Sequence, residues 1–136
     1  MSIAPIIDEF GRAYGTGRRK TSIARVWVSR GSGQFIINTK NLVHYFQPIQ
    51  RSHILSSFIA SKTAGIFDVW CTVKGGGISG QAGAIRLGLS RAIQAFDPSY
   101  RNLLKSSGML TRDARVVERK KPGQKKARKK FTWVKR

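Results

Sequence analysis

The last 25 residues constrain this chain more than any other feature. From Arg112 to Arg136 there are twelve Lys or Arg against two acids, Asp113 and Glu118, a net charge of +10. The only aliphatic residues there are Ala114, Val116, Val117, Ala127 and Val134, with Phe131 and Trp133 near the end. So little apolar surface does not offset the entropy of ordering a chain, and the segment is expected to be a tail that is disordered in isolation. Pro122-Gly123 breaks any helix begun over 115–121. Ten unbalanced cations solve no folding problem. Stretched out, such a tail reaches at most about 80–90 Å, enough to thread deep into a large polyanion.

The first 111 residues carry the other fourteen cations and four acids, again +10, over more than four times the length. Across all 136 residues the charge is +20, and 40% are hydrophobic, enough for one modest core. A compact domain so charged repels itself, which makes nucleic acid the expected partner and an acidic membrane surface the weaker option. No apolar run approaches the roughly 20 residues that span a bilayer, so no membrane role is expected. The single Cys71 excludes an internal disulfide and a multi-cysteine zinc site. The first residues carry Asp8 and Glu9 and lack a basic start, unlike a secretory or Arg-rich transit segment; either no leader is used or it has been removed. The chain divides into an N-terminal extension of unassigned role (1–13), a folded body (14–111) and the basic tail (112–136).

Within the body, residues 23–28 alternate Ile23, Arg25 and Trp27 with Ala24, Val26 and Val28, a strand. A turn at 30–33 and a second strand over 34–38 predict a hairpin. Asn41 caps a short helix through Phe46, stopped by Pro48. Residues 51–60 place Ile54, Leu55, Phe58 and Ile59 at helical spacing. Phe67, Val69, Cys71 and Val73 form one buried face of another strand, which makes Cys71 a core residue. A helix over about 79–96 carries the stripe Ala82, Ile85, Leu89, Ala92, Ile93 and Phe96, with Arg86, Ser90 and Gln94 on another face. Asp97-Pro98 ends it, and a short last helix over 100–105 closes at Ser107-Gly108. The expected fold class is α/β or α+β, a sandwich with helices packed on a small sheet.

Two glycine-rich stretches carry the chemistry. Gly75-Gly76-Gly77-Ile78-Ser79-Gly80 satisfies G-x-G-x-x-G between a strand and a helix, but no second strand ending in an acid follows, which argues against a dinucleotide cofactor. Free N–H groups at that helix start bind an RNA phosphate as well as a cofactor's; alternatively the glycines only make a tight turn. Gly15-Thr16-Gly17-Arg18-Arg19-Lys20-Thr21 lacks the G-K-[ST] element of a P-loop and precedes a strand, and it reads as a phosphate-contacting loop. His44 and His53 have no acidic ligand beside them, so no metal is expected. Six scattered carboxylates nominate no acid/base pair, and no nucleophile elbow is present, so no catalytic residue is nominated.

G-T-G-R-R-K-T-S-I-A-R-V (15–26), F-D-V-W-C-T-V-K-G-G-G-I-S-G-Q-A-G-A-I-R-L-G (67–88) and L-T-R-D-A-R-V-V-E-R-K-K-P-G (110–123) closely resemble the small-subunit ribosomal protein nine family, over about Tyr14 to Arg136. The resemblance implies a two-layer α/β fold, like the second domain of ribosomal protein S-five, with a left-handed β-α-β crossover. It also implies a non-enzymatic structural protein of the small-subunit head, without cofactor, whose partners are ribosomal RNA, peptidyl-site tRNA and neighbouring head proteins. The RNA contacts implied are Gly15, Gly17, Arg18, Arg19, Lys20, Gly75, Gly76, Gly77, Ser79, Gln81 and Arg86 in the body. In the tail they are Arg112, Arg115, Arg119, Lys120, Lys121, Lys125, Lys126, Arg128, Lys129 and Lys130, with Lys135 and Arg136 nearest the tRNA. The ending T-W-V-K-R looks more like mitochondrial members than bacterial or plastid ones, so a mitochondrial ribosome is favoured over bacterial cytoplasm or plastid. The alternatives are a phosphate- or nucleotide-binding enzyme using the glycine-rich helix start, and a free RNA chaperone.

Overall fold

The period-two burial pattern of four segments builds the sheet, and one long helix closes it. The computed structural model describes Pro5 and residues 7–111. In chain order the elements are β1 (Ala13–Arg19), β2 (Ser22–Arg30), β3 (Phe35–Ile37), β4 (Lys40–Asn41), α1 (Leu42–Tyr45), α2 (Pro48–Ser61), β5 (Phe67–Lys74), α3 (Ile78–Phe96), a 3-10 turn (Pro98–Tyr100) and α4 (Arg101–Ser106). The described strands form one sheet in the order β1-β2-β5-β3-β4, antiparallel except for the parallel β3–β5 pair. One face presents Ala24, Val26, Val28, Phe35, Ile37, Phe67, Val69, Cys71 and Val73 to the core, where Ile54, Phe58, Ile85, Leu89 and Ile93 of α2 and α3 meet them. The fold is therefore mixed α+β, with helices on one side of a five-stranded sheet.

β1 touches α3 backbone to backbone. A Cβ on Gly15 would collide with the Gly88 carbonyl oxygen, and one on Gly17 with that of Ala84. From the helix side, a Cβ on Gly88 would lie 2.8 Å from Val26 Cγ2 and 3.0 Å from the Gly17 nitrogen. The segment expected to be a loop is thus a strand whose glycines exist to let a helix in. Its partner is β2, joined through a two-residue turn in which Lys20 has φ 53°.

The hairpin expected between 23–28 and 34–38 is not formed, because β5 lies between those strands. Asp68 explains the detour: its Oδ1 accepts the N–H groups of Ser32, Gly33 and Gln34 at 3.0, 3.0 and 2.9 Å. Residues 31–34 wrap this carboxylate, and β3 emerges parallel to β5, with Phe35 opposite Val69 and Ile37 opposite Cys71. Pro48 does not merely stop α1; it begins α2, where its fixed φ and missing N–H fit the first helical position. Ile59, expected on the apolar side, is 74% exposed, since α2 buries Ile54, Ser57, Phe58 and Ser61 instead. α3 is enclosed on a second side: the Ser57 and Ser90 hydroxyls meet at 2.8 Å between α2 and α3. Asn41 caps α1 by accepting from the Val43 N–H, and Asp97 ends α3, both as expected.

Gly17→Ala is expected to lower the free energy of unfolding by about 1–3 kcal/mol in urea denaturation, since the added methyl meets rigid backbone. Gly77→Ser, at a position with open space around the would-be Cβ, should stay within about 0.5 kcal/mol of the parent.

Candidate nucleic-acid interface

The β1–β2 turn and the β5–α3 loop lock together at one end of the sheet. Ser22 is fully buried and donates its hydroxyl to the Gly75 carbonyl at 2.8 Å. Gly75 and Gly76 take left-handed φ values of 82° and 65°. A Cβ on Gly75 would stand 2.7 Å from the Thr21 carbonyl, so side chains are excluded there by both strain and space. Gly77 then serves as the N-cap of α3 with no side-chain hydrogen bond, and no acid lies in the first turn. The first N–H groups of a 19-residue helix, with the positive end of its dipole, therefore face outward without a side-chain cap.

Two cations flank this helix start. Arg19 donates from Nη1 to the Ser79 carbonyl at 3.1 Å and lies across Gly83, where a Cβ would collide with its Cδ. Lys20 runs past Gly80, its Cδ 3.8 Å from the position a Cβ would take. Gln81 is a latch: its Nε2 donates to the Gly75 carbonyl at 3.2 Å, and its Oε1 accepts from the Tyr45 hydroxyl at 2.9 Å. Gly76, Gly77 and Ser79 are exposed.

The sequence-nominated residues thus separate into groups. Arg19, Lys20, Gly75, Gly76, Gly77, Ser79 and Gln81 gather at this corner. Gly15 and Gly17 are buried under α3 and pack the fold. Arg18 is exposed on the opposite sheet face, paired in register with Ile23. Arg86 sits farther along α3, its Nη1 3.6 Å from Met109 Sδ. Arg112, Arg115, Arg119, Lys120, Lys121, Lys125, Lys126, Arg128, Lys129, Lys130, Lys135 and Arg136 lie outside the described residues.

His53 on α2 went unassigned from sequence. Burial first, then repulsion from Arg86 and Arg19, holds its pKa below the ordinary value of 6.5. Nothing in the sequence around His53 signals this, since Arg19 and Arg86 belong to β1 and α3.

The four acids of residues 1–111 all lie elsewhere. Asp8 and Glu9 precede β1, Asp68 stands at the start of β5, and Asp97 follows the last residue of α3. α3 is about 28 Å long, so Asp97 is that far from the corner. No group of three or more His, Cys, Asp or Glu among the described residues is placed to hold a metal ion. No described helix is long and apolar enough to cross a membrane. Burial pushes the Cys71 thiol up to about 12, which leaves it no thiolate to act as a nucleophile. The arrangement suits binding of polyanionic backbone, with phosphate on helix N–H groups and guanidinium and ammonium groups at either side.

Comparison with known proteins gives a consistent picture. A family model described as "Ribosomal protein S9/S16" matches residues 17–136. The "Small ribosomal subunit protein uS9m" of Arabidopsis thaliana is 57% identical over 131 residues, which is 96% of this chain. The chain spans 30% of that relative's length.

The His53 shift has a stability consequence. Because the folded chain binds this proton more weakly than the unfolded chain, stability falls as pH drops below 6.5 and levels off once the folded pKa is passed. Thermal melts between about pH 7 and 5 should show a smaller acid-side loss for His53→Gln than for the parent. Equal losses would show that His53 is as easily protonated in the folded chain as in the unfolded one.

Proposed function

Because the chain belongs to the ribosomal protein S9/S16 family, we propose that it is a structural, non-enzymatic constituent of the small subunit of a mitochondrial ribosome. The observation that carries this is the match over 17–136, which runs through both the acid-free corner of the body and the whole basic tail. The mitochondrial assignment follows the plant relative's description. In this reading the body docks on ribosomal RNA of the subunit head through Arg19, Lys20, the Gly75–Gly77 loop and Ser79, with neighbouring head proteins alongside. The tail neutralises buried RNA phosphates, and Lys135 and Arg136 reach the peptidyl-site tRNA. The parallel β3–β5 pair, bridged by α1 and α2, is the natural place for the left-handed β-α-β crossover of the S-five-domain-two-like fold.

A nucleotide enzyme is disfavoured by the same corner. No carboxylate of the described residues lies there to hold magnesium or act as a base. α3 is followed by a 3-10 turn and α4 instead of the second strand that a dinucleotide fold requires. A free RNA chaperone differs in leaving ribosome fractions, which sedimentation with and without ribonuclease resolves.

Binding to small-subunit RNA should be steeply salt-dependent. Six to ten phosphate contacts imply a loss on the order of 10³–10⁵ in affinity between about 50 and 200 mM salt, read from filter binding; a flat response would overturn the reading. Deleting Lys135 and Arg136 should weaken peptidyl-site tRNA binding by purified subunits while leaving assembly largely intact. Equal tRNA affinity would remove the tail end from that role.

A further inference from the structure

The sheet face turned away from the helices has the composition of an RNA-stacking surface. The register sets Tyr14 opposite Trp27, Trp27 opposite Trp70, and Trp70 opposite Ile36, a row running across four strands. Tyr14 and Trp70 are 43% and 36% exposed, although both are large aromatics. Strands lie about 4.8 Å apart, so the three aromatic positions cover about 10 Å.

The adjoining rows are cationic and hydroxylic. Thr16, Arg25 and Thr72 make the next row, and Arg18, Ile23 and Lys74 the one beyond. The Arg25 guanidinium carbon lies 5.2 Å from the Trp27 ring centroid and 5.9 Å from that of Tyr14, with its Nε donating to the Tyr14 hydroxyl at 3.4 Å. The Thr16 hydroxyl donates to the same phenol oxygen at 2.8 Å. These contacts tie Arg25 to the Tyr14 and Trp27 end of the row and leave Trp70 clear of it. A depression of about 290 Å³, lined among others by Ile23, Arg25, Thr72 and Lys74, opens beside it. Asp68, on the same face of β5 as Trp70, already accepts three backbone N–H groups through Oδ1.

We infer that this face is a second RNA-binding surface, on which unpaired bases of single-stranded RNA stack on Trp70, Trp27 and Tyr14 while Arg25, Arg18 and Lys74 hold the phosphates. It rests on the RNA-binding reading above and adds to it the kind of RNA bound. Charge selects the occupant: aromatic rings interleaved with cations, within residues 1–111 of net +10, complement a polyanion with π-faces. Sheets use two or three aromatics to stack as many bases, and the row supplies that number. The corner at α3 offers only backbone N–H groups and cations, which suit duplex or single-stranded phosphates alike. The two surfaces therefore divide recognition between backbone and bases.

The test uses full-length protein carrying Trp133→Phe, so that Trp27 and Trp70 alone report. The probes are an oligouridylate of about 12 nucleotides and an RNA duplex of similar charge. The oligouridylate should quench tryptophan emission on binding. Trp70→Leu should weaken its binding by about 5- to 150-fold, with duplex affinity changed by less than about 2-fold, and Trp70→Phe should restore most of the loss. Unquenched emission, or equal affinity of the parent, Leu and Phe variants for the oligouridylate, would overturn the stacking surface and leave the face to a protein neighbour. Because quenching needs no change to the sheet, it decides the matter even if Trp70→Leu fails to fold. If neither probe binds, the RNA-binding reading itself falls; if both bind without quenching, only the stacking surface does.

Discussion

Everything in the body depends on a strand lying directly on a helix. Gly15 and Gly17 of β1 and Gly88 of α3 remove the side chains that would hold the two backbones apart. The contact fixes which face of β1 points inward and, through the β1–β2 register, which face of the whole sheet does. It also sets the length of β1 so that Arg19 and Lys20 arrive beside the first turn of α3. Packing and the placement of these two cations are thus one constraint. A bulkier residue at Gly17 would lift β1 and carry both cations away from the helix start.

Electrostatics follows the same axis. Three of the four acids of residues 1–111 are used where they close turns: Asp8 accepts from the Phe10 and Arg12 N–H groups, Asp68 holds residues 32–34, and Asp97 accepts from the Ser99 N–H. Each sits away from the Gly75–Gly77 loop, so the positive end of the α3 dipole meets no negative side chain near it. With no Ser, Thr, Asp or Asn at the N-cap, the first N–H groups stay uncommitted. The positive φ values of Gly75 and Gly76 are what a tight turn needs, and the open N-cap at Gly77 leaves the helix start available to an anion as well.

Strands and helices with clear periodicity were legible from sequence: 23–28, 67–73 and 79–96 all lie in the elements expected. Asn41 and Asp97 announced their caps. β1 was not legible, because two glycines in seven residues look like a loop until the helix that needs them is in place. Strand order was not legible either. Nothing local in residues 30–38 reveals that Asp68, more than thirty residues away, will gather the loop and send β3 to the far side of β5. The same blindness hid His53, whose neighbours Arg19 and Arg86 come from two other elements, and the aromatic row, whose members belong to β1, β2 and β5. Residues 15–21 and 75–81 were singled out by composition, and the structure brings most of them to one corner while assigning Gly15 and Gly17 to packing.

On the proposed RNA-binding reading, the glycine-lined end and the outer face of the sheet would place different demands on the ligand. The corner at α3 presents N–H groups, Arg19 and Lys20, and those groups distinguish phosphate from everything else but not one nucleotide from another. The outer face presents flat rings, which require bases already out of a helix. A ligand satisfying both would need a phosphate backbone at the corner and unpaired bases on the outer face, which a regular duplex does not offer. On the proposed reading, a sheet with one covered face and a glycine-lined end would favour RNA that offers both a phosphate backbone and unpaired bases, without reading any base edge.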